Sequence, residues 1–163
     1  MAKTKIKVGF AGTPKIAFDI FSEILSSKDI STEFVLTQPD KSSGRGLVTS
    51  KSLFANIDNV PMFQPESLSG EELIKKIEAF NIDLLVVVAY GKILPTSLLD
   101  LKNTLFINVH ASLLPRWRGA APIQRAIMNM DDETGVSIMK IITKLDEGPF
   151  MIQKKVTIEK DTT

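Results

Sequence analysis

The stretch TLFINVHASLLPR, residues 104–116, carries the clearest structural signal in the chain and includes its only histidine. Residues 104–107 form an apolar run that predicts a buried β-strand. On the two-residue period of a strand, Asn108, His110 and Ser112 lie on one face, so an amide, an imidazole and a hydroxyl are predicted to converge. Ligands of open parallel sheets usually bind outside the carboxyl ends of the strands. The pattern therefore indicates chemistry at the end of this strand.

Elsewhere the chain alternates short apolar runs with helical patterns, which predicts βαβ units and a mostly parallel sheet. Residues 38–46 contain almost no core-forming side chain, so they are predicted to form an exposed loop, and residues 146–149 are predicted to turn. With 163 residues, of which 44% are hydrophobic, the chain fits a single domain. Strands are predicted over residues 5–11, 33–37, 83–89, 104–109, 134–142 and 150–158, and helices over 14–25, 69–80, 97–101 and 119–129.

Composition narrows the kinds of site that this chain can build. Cysteine is absent, which excludes disulfides, thiolate nucleophiles and cysteine-based metal sites. A single histidine argues against a His-rich zinc site, and no metal is expected. Residues 9–12 lack the G-x-G-x-x-G spacing, which argues against a nicotinamide enzyme. The net charge is +1, so a polyanionic partner would have to be met by a local cluster of basic side chains.

The sequence contains no segment typical of secretion or of membrane insertion. Its basic start is followed by an apolar stretch that Gly9, Gly12 and Pro14 interrupt before it acquires the character of a signal peptide. The longest apolar run, residues 84–90, is far shorter than the roughly 20 residues that span a bilayer. We therefore expect a cytoplasmic protein that does not enter a membrane.

The segment NVHASLLPRWRGAAPI, residues 108–123, closely resembles the hallmark segment of the methionyl-tRNA formyltransferase family. Five other segments also resemble this family: FAGTP at 10–14, TQPD at 37–40, GRG at 44–46, VVVAYGKILP at 86–95 and TGVSIMKI at 134–141. This resemblance covers nearly the whole chain and implies a Rossmann-like open, mostly parallel α/β sheet with helices on both faces. It also implies that residues 1–163 are the N-terminal catalytic domain, truncated at its C-terminal edge, without the family's smaller C-terminal β-barrel domain.

The resemblance implies a reaction and its partners. A formyl group would pass from 10-formyltetrahydrofolate to the α-amino group of methionyl initiator tRNA, for translation initiation, with no metal and in a monomeric protein. Two alternatives stay open. One is a folate-dependent formyltransferase that acts on another amine, such as a sugar nucleotide or glycinamide ribonucleotide. The other is a noncatalytic module that binds folate or RNA.

The resemblance identifies Asn108, His110 and Asp146 as the catalytic set. These residue types suit formyl transfer, since an amide can donate to a developing oxyanion and an imidazole can carry a proton from the attacking amine to the leaving nitrogen. Asp146 would hold the imidazole in position. Taken singly, each residue is more typical of a turn, a cap or a hydrogen-bonded strand end than of catalysis. Their joint occurrence beside residues 112–119 favours the catalytic interpretation.

Two further groups of residues are implied by the same resemblance. The folate would be bound by Lys92, Ile93, Leu94, Ser112, Leu113, Leu114 and Pro115, whose alternative role is ordinary core and loop structure. The tRNA would be bound by Lys41 and Arg45, in a basic loop over residues 37–51, and by Arg116 and Arg118. The alternative interpretation of the basic loop is a solvated charged loop without a partner. Arg116 and Arg118 either contact the tRNA end or brace their own loop.

Overall fold

The structure, a computed structural model, describes residues 4–43, 48–50, 52–159 and 162. The described residues build an open and mostly parallel α/β sheet, so the predicted fold class is confirmed. The chain divides between Leu105 and Phe106 into two compact units, which are described separately below. Among the described helices, none is both long and apolar enough to cross a membrane.

The predicted strands and helices are all present, with boundaries that differ from the predictions by three residues or fewer. The strands are β1 (Ile6–Gly12), β2 (Ile30–Leu36), β3 (Lys41–Ser43), β4 (Val48–Ser50), β5 (Met62–Phe63), β6 (Leu84–Val88), β7 (Leu105–His110), β8 (Glu133–Lys140) and β9 (Phe150–Thr157). The helices are α1 (Lys15–Ser26), α2 (Glu71–Ala79), α3 (Thr96–Leu99) and α4 (Pro122–Met128), with a short 3-10 helix at Leu53–Asn56.

Four strands of the first unit run parallel in the order β5-β2-β1-β6. Most of their apolar side chains are buried, as the near-continuous run from Leu85 to Val88 in β6 illustrates. Such runs are typical of parallel strands that are covered on both faces. Because the strands are parallel, the segments that follow β1, β2 and β6 all leave the sheet at the same edge. That edge is where this fold class usually places its ligands.

An aromatic cluster joins helix α1 to the sheet of the first unit. Phe21, on α1, is fully buried, and its ring centre lies 5.1 Å from that of Phe10 on β1. Phe54, in the 3-10 helix, packs edge-on against Phe21 with ring centres 5.4 Å apart. Edge-to-face contacts of this kind add to the free energy gained by burying the rings. The cluster therefore couples the chain segments before and after the basic loop to one core.

The basic loop differs from the prediction. The predicted exposed loop at 38–46 contains the short strand β3, which pairs antiparallel with β4 in a separate two-stranded sheet. Residues 44–47 lie outside the described residues. Strands of three residues rich in Ser, Thr and Lys show no alternation of apolar and polar side chains, so hydrophobic periodicity could not reveal them. The two-residue strand β5 and the four-residue 3-10 helix are also too short to show a hydrophobic period, so they were not predicted.

The second unit contains an antiparallel arrangement in the order β7-β8-β9. Along β8 the buried side chains alternate, with Ser137 and Met139 on the covered face, whereas β9 is exposed along its length. Helix α4 begins three residues later than predicted because Gly119 and Ala121 adopt left-handed backbone conformations, with φ of 82° and 56°. The predicted helix start at 119 was therefore wrong, and the residues before Pro122 remain a loop.

We predict that Phe21→Ala lowers the free energy of unfolding by about 3–5 kcal/mol, because it removes a buried ring and leaves a cavity beside Phe10 and Phe54. Ile16→Ala is the matched control on the same helix, since Ile16 is 46% exposed and should cost much less. Urea unfolding of both variants measures the difference. Equal losses in the two variants would contradict the aromatic cluster as the main contact of α1.

Candidate active site

Strand β7 delivers two of the predicted catalytic side chains. Asn108 lies opposite Met139 of β8 and His110 lies opposite Ser137, in an antiparallel register. His110 is the last residue of the strand and only 6% of it is exposed. Since residues two apart on a strand share a face, the amide and the imidazole project to the same side. The sequence-based placement of these two residues agrees with the structure.

Asp146 completes the predicted set, and its carboxylate contacts both side chains. Asn108 Nδ2 donates to Asp146 Oδ1 at 3.3 Å, and His110 Nδ1 lies 3.7 Å from Asp146 Oδ2. The side chains of His110 and Asp146 are 7% and 9% exposed. An amide, an imidazole and a carboxylate thus meet in a nearly buried cluster of the second unit.

A tight approach of the backbone brings Asp146 into the cluster. After β8 the chain turns, Asp146 itself adopts a left-handed conformation with φ of 48°, and Lys140 N donates back to Pro149 O at 2.9 Å. A Cβ at position 148 would collide with the Lys140 carbonyl, so the turn requires glycine at that position. The predicted turn at 146–149 is therefore present, and Gly148 is the residue that allows it to close.

A backbone donor fixes the second carboxylate oxygen. Gly119 N donates to Asp146 Oδ2 at 2.8 Å, and Gly119 has φ of 82°, a conformation that other residues rarely adopt. Asp146 therefore accepts from a side chain at one oxygen and from a main-chain amide at the other. With both oxygens engaged, its orientation toward His110 is set by the loop that follows β7.

The same loop contacts the other nitrogen of the imidazole. His110 Nε2 lies 3.0 Å from the carbonyl oxygen of Trp117. Because a carbonyl oxygen can only accept a hydrogen bond, Nε2 carries a hydrogen in this arrangement. A proton taken up by the ring would then be held at Nδ1, which is the nitrogen that faces Asp146.

Ser112 lies beyond the end of β7, so the strand period that predicted its place beside Asn108 and His110 does not extend to it. It follows the end of β7, and its hydroxyl donates to Arg116 O at 2.6 Å. The predicted continuation of the strand pattern to residue 112 was therefore wrong, since the chain turns after His110. The Ser112 hydroxyl instead joins two residues of the loop that follows β7.

Ser137 is a structural anchor of this loop that the sequence interpretation missed. Its fully buried hydroxyl donates to Ser112 O at 2.6 Å and accepts from Leu114 N at 3.0 Å. Gln153 Nε2, on β9, bonds to the same hydroxyl at 2.8 Å and to Leu114 O at 2.9 Å. A serine at a buried-face position of an alternating strand was the available signal, because a buried hydroxyl needs a partner.

Asp131 is a second residue that the sequence interpretation missed. Its carboxylate accepts from Arg116 Nε at 2.9 Å, from Trp117 Nε1 at 2.7 Å and from Asn129 Nδ2 at 2.7 Å. The hydrogen bond from Arg116 is the main cause that holds the pKa of Asp131 well below its ordinary value, with Asn129 and Trp117 contributing. The structure thus gives Arg116 a bracing contact, whereas Arg118 is exposed.

The predicted residues of the first unit follow β6. Ile93 is 79% exposed, whereas Leu94 is buried. Lys92 Nζ donates to the carbonyl oxygens of Pro65 and Glu66 at 2.7 and 2.8 Å. Lys92 is therefore held against neighbouring backbone, and Ile93 is the apolar side chain that this segment leaves accessible within its own unit.

The base of the basic loop is fastened to the segment that follows β6. Gln38 Nε2 donates to Tyr90 O at 2.8 Å, and Gln38 N donates to Thr13 Oγ1 at 3.3 Å. Gln64 Nε2 donates to Asp40 Oδ1 at 2.7 Å. These bonds join the exits of the parallel strands at one edge of the first unit.

The predicted basic residues of this loop are described only in part. Lys41 is the first residue of β3, and Arg45 lies outside the described residues. Within the described part of the chain, no group of three or more His, Cys, Asp or Glu is placed to hold a metal ion.

Similarity to known proteins extends over nearly the whole chain. A family model described as "Formyl transferase" matches residues 4–163. A methionyl-tRNA formyltransferase of Nitrosospira multiformis is 45% identical over 161 residues, which cover 97% of this chain and 51% of the relative. A methionyl-tRNA formyltransferase of Aromatoleum aromaticum is 46% identical over 167 residues, covering 100% of this chain and 52% of the relative. The chain thus spans about half the length of these relatives.

Solved structures show the same fold at low sequence identity. A phosphoribosylglycinamide formyltransferase from Bacillus halodurans superimposes with a TM-score of 0.77 at 22% identity, covering 96% of this chain and 82% of that one. A sugar N-formyltransferase from a Shewanella species gives a TM-score of 0.65 at 18% identity, covering 94% of this chain and 58% of that one. At these identities the likeness supports the fold and carries no statement about substrate.

We predict that Asp131→Asn lowers stability in a pH-dependent way. Because the pKa of Asp131 is lowered in the folded chain, its carboxylate stabilises the fold above the ordinary aspartate pKa of about 3.9. That contribution is lost as the pH falls toward the lowered value. The urea midpoint of the variant should therefore lie below wild type at pH 7, and the gap should narrow below about pH 4.

Asp132→Asn is the control, since it removes the same charge from the exposed neighbouring residue. We expect its urea midpoint to stay close to that of wild type at every pH. A gap between Asp131→Asn and wild type that does not change between pH 7 and acid would contradict the ion pair with Arg116.

Proposed function

The chain belongs to the formyl transferase family, and on this premise we propose that it transfers a formyl group from 10-formyltetrahydrofolate to the α-amino group of methionyl initiator tRNA. The meeting of Asn108, His110 and Asp146 in one nearly buried cluster carries the proposal, because formyl transfer needs an oxyanion donor and a proton carrier. The names of the relatives at 45% and 46% identity support the choice of amine. The reaction would serve translation initiation in the cytoplasm.

Asn108 is proposed to stabilise the oxyanion. When the amine attacks the formyl carbon, a new carbon–nitrogen bond forms and negative charge develops on the formyl oxygen. Asn108 Nδ2 has two hydrogens, of which one is donated to Asp146, so the other remains for that oxygen. The bond to Asp146 also fixes the plane of the amide. Such preorganised donors stabilise a transition state without having to reorganise during the reaction.

His110 is proposed to move the proton. The attacking amine must lose a proton, and the folate nitrogen must leave as a neutral amine when its bond to the formyl carbon breaks. Since Nε2 donates to Trp117 O, the proton is carried at Nδ1. Asp146 Oδ2, at 3.7 Å, faces the positive charge that this creates. Asp146 thus orients the ring and stabilises its charged form during the transfer.

The folate-binding residues are proposed from the family resemblance, and the structure describes what holds them. Ser112, Leu113, Leu114 and Pro115 lie in the loop anchored by Ser137, which is proposed to supply apolar side chains and backbone groups to the ligand. A flat polar heterocycle is best bound by such a combination. In the first unit, the family resemblance implies a folate-binding role for Lys92, Ile93 and Leu94, and Ile93 is exposed within that unit.

The tRNA-binding residues are proposed from charge. Lys41 and Arg45 belong to the basic loop. Arg118 is exposed in the loop between β7 and α4 of the second unit. Phosphate oxygens are met by such side chains with little reading of the base sequence. Arg116 is proposed as a weaker contributor, since its guanidinium already pairs with Asp131.

We predict that Asn108→Ala lowers the rate of formyl transfer about 10²- to 10³-fold and that His110→Ala lowers it about 10²- to 10⁴-fold, because each removes one catalytic group. The assay is transfer from 10-formyltetrahydrofolate to methionyl initiator tRNA by the protein and its variants. Gln124→Ala, which removes an exposed amide from α4, is the control and should keep full activity. Wild-type activity in His110→Ala would contradict the assignment of the proton carrier.

The same assay distinguishes the amine acceptors. Glycinamide ribonucleotide and an amino sugar nucleotide are offered at matched concentrations. Preference for either over methionyl-tRNA would replace the proposed substrate while keeping the formyl transfer. Folate binding without transfer to any of the three amines would favour a noncatalytic module.

We predict that Lys41→Ala combined with Arg45→Ala weakens tRNA binding and reduces the slope of log K against log salt by about 1 to 2, because up to two phosphate contacts are lost. Folate binding should be unchanged. Lys28→Ala combined with Lys75→Ala is the control, since it removes the same charge from exposed positions elsewhere in the unit. An unchanged slope in the loop variant, or an equal change in the control, would argue against the loop.

A further inference from the structure

A second polar cluster of the second unit is centred on Asp131. Asp131 follows helix α4, and its side chain is 11% exposed. Its two oxygens are paired with Arg116, Trp117 and Asn129, so the carboxylate is saturated with donors. The mechanism of formyl transfer described above does not use Asp131. Its hydrogen bonds instead fix two consecutive side chains of the loop that follows β7.

Trp117 links this cluster to the imidazole. Its indole Nε1 donates to Asp131 at 2.7 Å, while its main-chain carbonyl accepts from His110 Nε2. The guanidinium of Arg116 lies over the indole, 4.5 Å from the ring centre, and also binds Asp131. Asp131 therefore contacts the indole of Trp117, and the main-chain carbonyl of Trp117 contacts His110, so Trp117 connects the two residues.

The backbone of this loop needs such support. Trp117 has φ of 59° and Gly119 has φ of 82°. A left-handed conformation has an energetic cost for a residue with a Cβ, so it persists only where surrounding contacts hold it. At Trp117 the described side-chain contacts that meet this cost are those with Asp131 and Arg116. The conformation that they hold points the Trp117 carbonyl at His110 and leads into Gly119, which donates to Asp146.

We propose that Asp131 is a positioning residue for the active site: by anchoring Trp117 it holds a carbonyl oxygen against His110 Nε2 and so determines that the second proton of the ring is held at Nδ1, toward Asp146. The catalytic meaning of this role rests on the proposed formyl transfer. The positional role itself is a statement about hydrogen bonds in the second unit and can be tested without any substrate.

The composition of the chain makes the test direct, because His110 is its only histidine and Trp117 its only tryptophan. ¹⁵N NMR of the protein in alkaline solution, where an imidazole is neutral, reports which ring nitrogen carries the hydrogen. In wild type we expect two well-separated ring ¹⁵N shifts, with the hydrogen on Nε2. Asp131→Asn should reduce this separation toward the average of the two tautomers, because Trp117 is no longer anchored.

Two further variants keep the test decisive. Trp117→Phe retains an aromatic ring and the main-chain carbonyl but removes the indole donor to Asp131, so it should reduce the separation of the shifts in the same way. It carries the test alone if Asp131→Asn does not fold. Asp132→Asn, at the exposed neighbouring position, should leave the His110 shifts at their wild-type values.

The proposal is overturned if a folded Trp117→Phe or Asp131→Asn keeps the wild-type shifts, or if Asp132→Asn changes them equally. In the formyl transfer assay, Asp131→Asn should lower kcat about 10- to 10²-fold with little change in the KM for folate, since misplacement of a catalytic group costs rates of this order. A variant whose shifts change while wild-type protein shows no formyl transfer would leave the positioning role standing and remove the proposed reaction.

Discussion

The arrangement of the second unit depends on the carboxylate of Asp146. One oxygen accepts from Asn108, the other accepts from the main chain at Gly119 and faces His110. A nearly buried carboxylate is costly unless its oxygens are paired, so the donors around it stabilise the site as well as orienting it. Its position requires Gly148, where the chain passes the Lys140 carbonyl without room for a Cβ. The position of the Asp146 carboxylate thus depends on the backbone of this turn.

The loop between β7 and α4 brings the partners of this carboxylate together. It presents the Trp117 carbonyl to the imidazole and the Gly119 amide to Asp146, both from left-handed backbone positions. Such conformations are unfavourable by themselves. Two anchors hold the loop: Ser137 binds its first half, and Asp131 binds the side chains of Arg116 and Trp117. The proposed catalytic groups are therefore held by residues outside the proposed catalytic set.

The fold and part of the site were predictable because they depend on local patterns. Apolar runs and helical spacing identified every longer strand and helix, since burial on a sheet imposes its period on the sequence. Asn108 and His110 were correctly placed on one face of β7 for the same reason. The strands at 41–43 and 48–50 escaped because short polar strands carry no such period. The strand pattern was extended too far, to Ser112, because the point where a strand ends depends on contacts that a repeat cannot show.

The sequence by itself determined the class of fold, the residue types available for formyl transfer and the absence of cysteine chemistry. Only the tertiary structure decided which groups meet. Asp146 is 36 residues from His110 and Asp131 is 14 from Trp117, so these contacts form only when the chain folds back on itself. Hydrogen bonds between distant residues depend on distance and angle in space, whereas a sequence pattern records only which faces are buried. That is why Asn108, His110 and Asp146 could be proposed as a set from the family resemblance, whereas the contacts that hold them had to come from the structure.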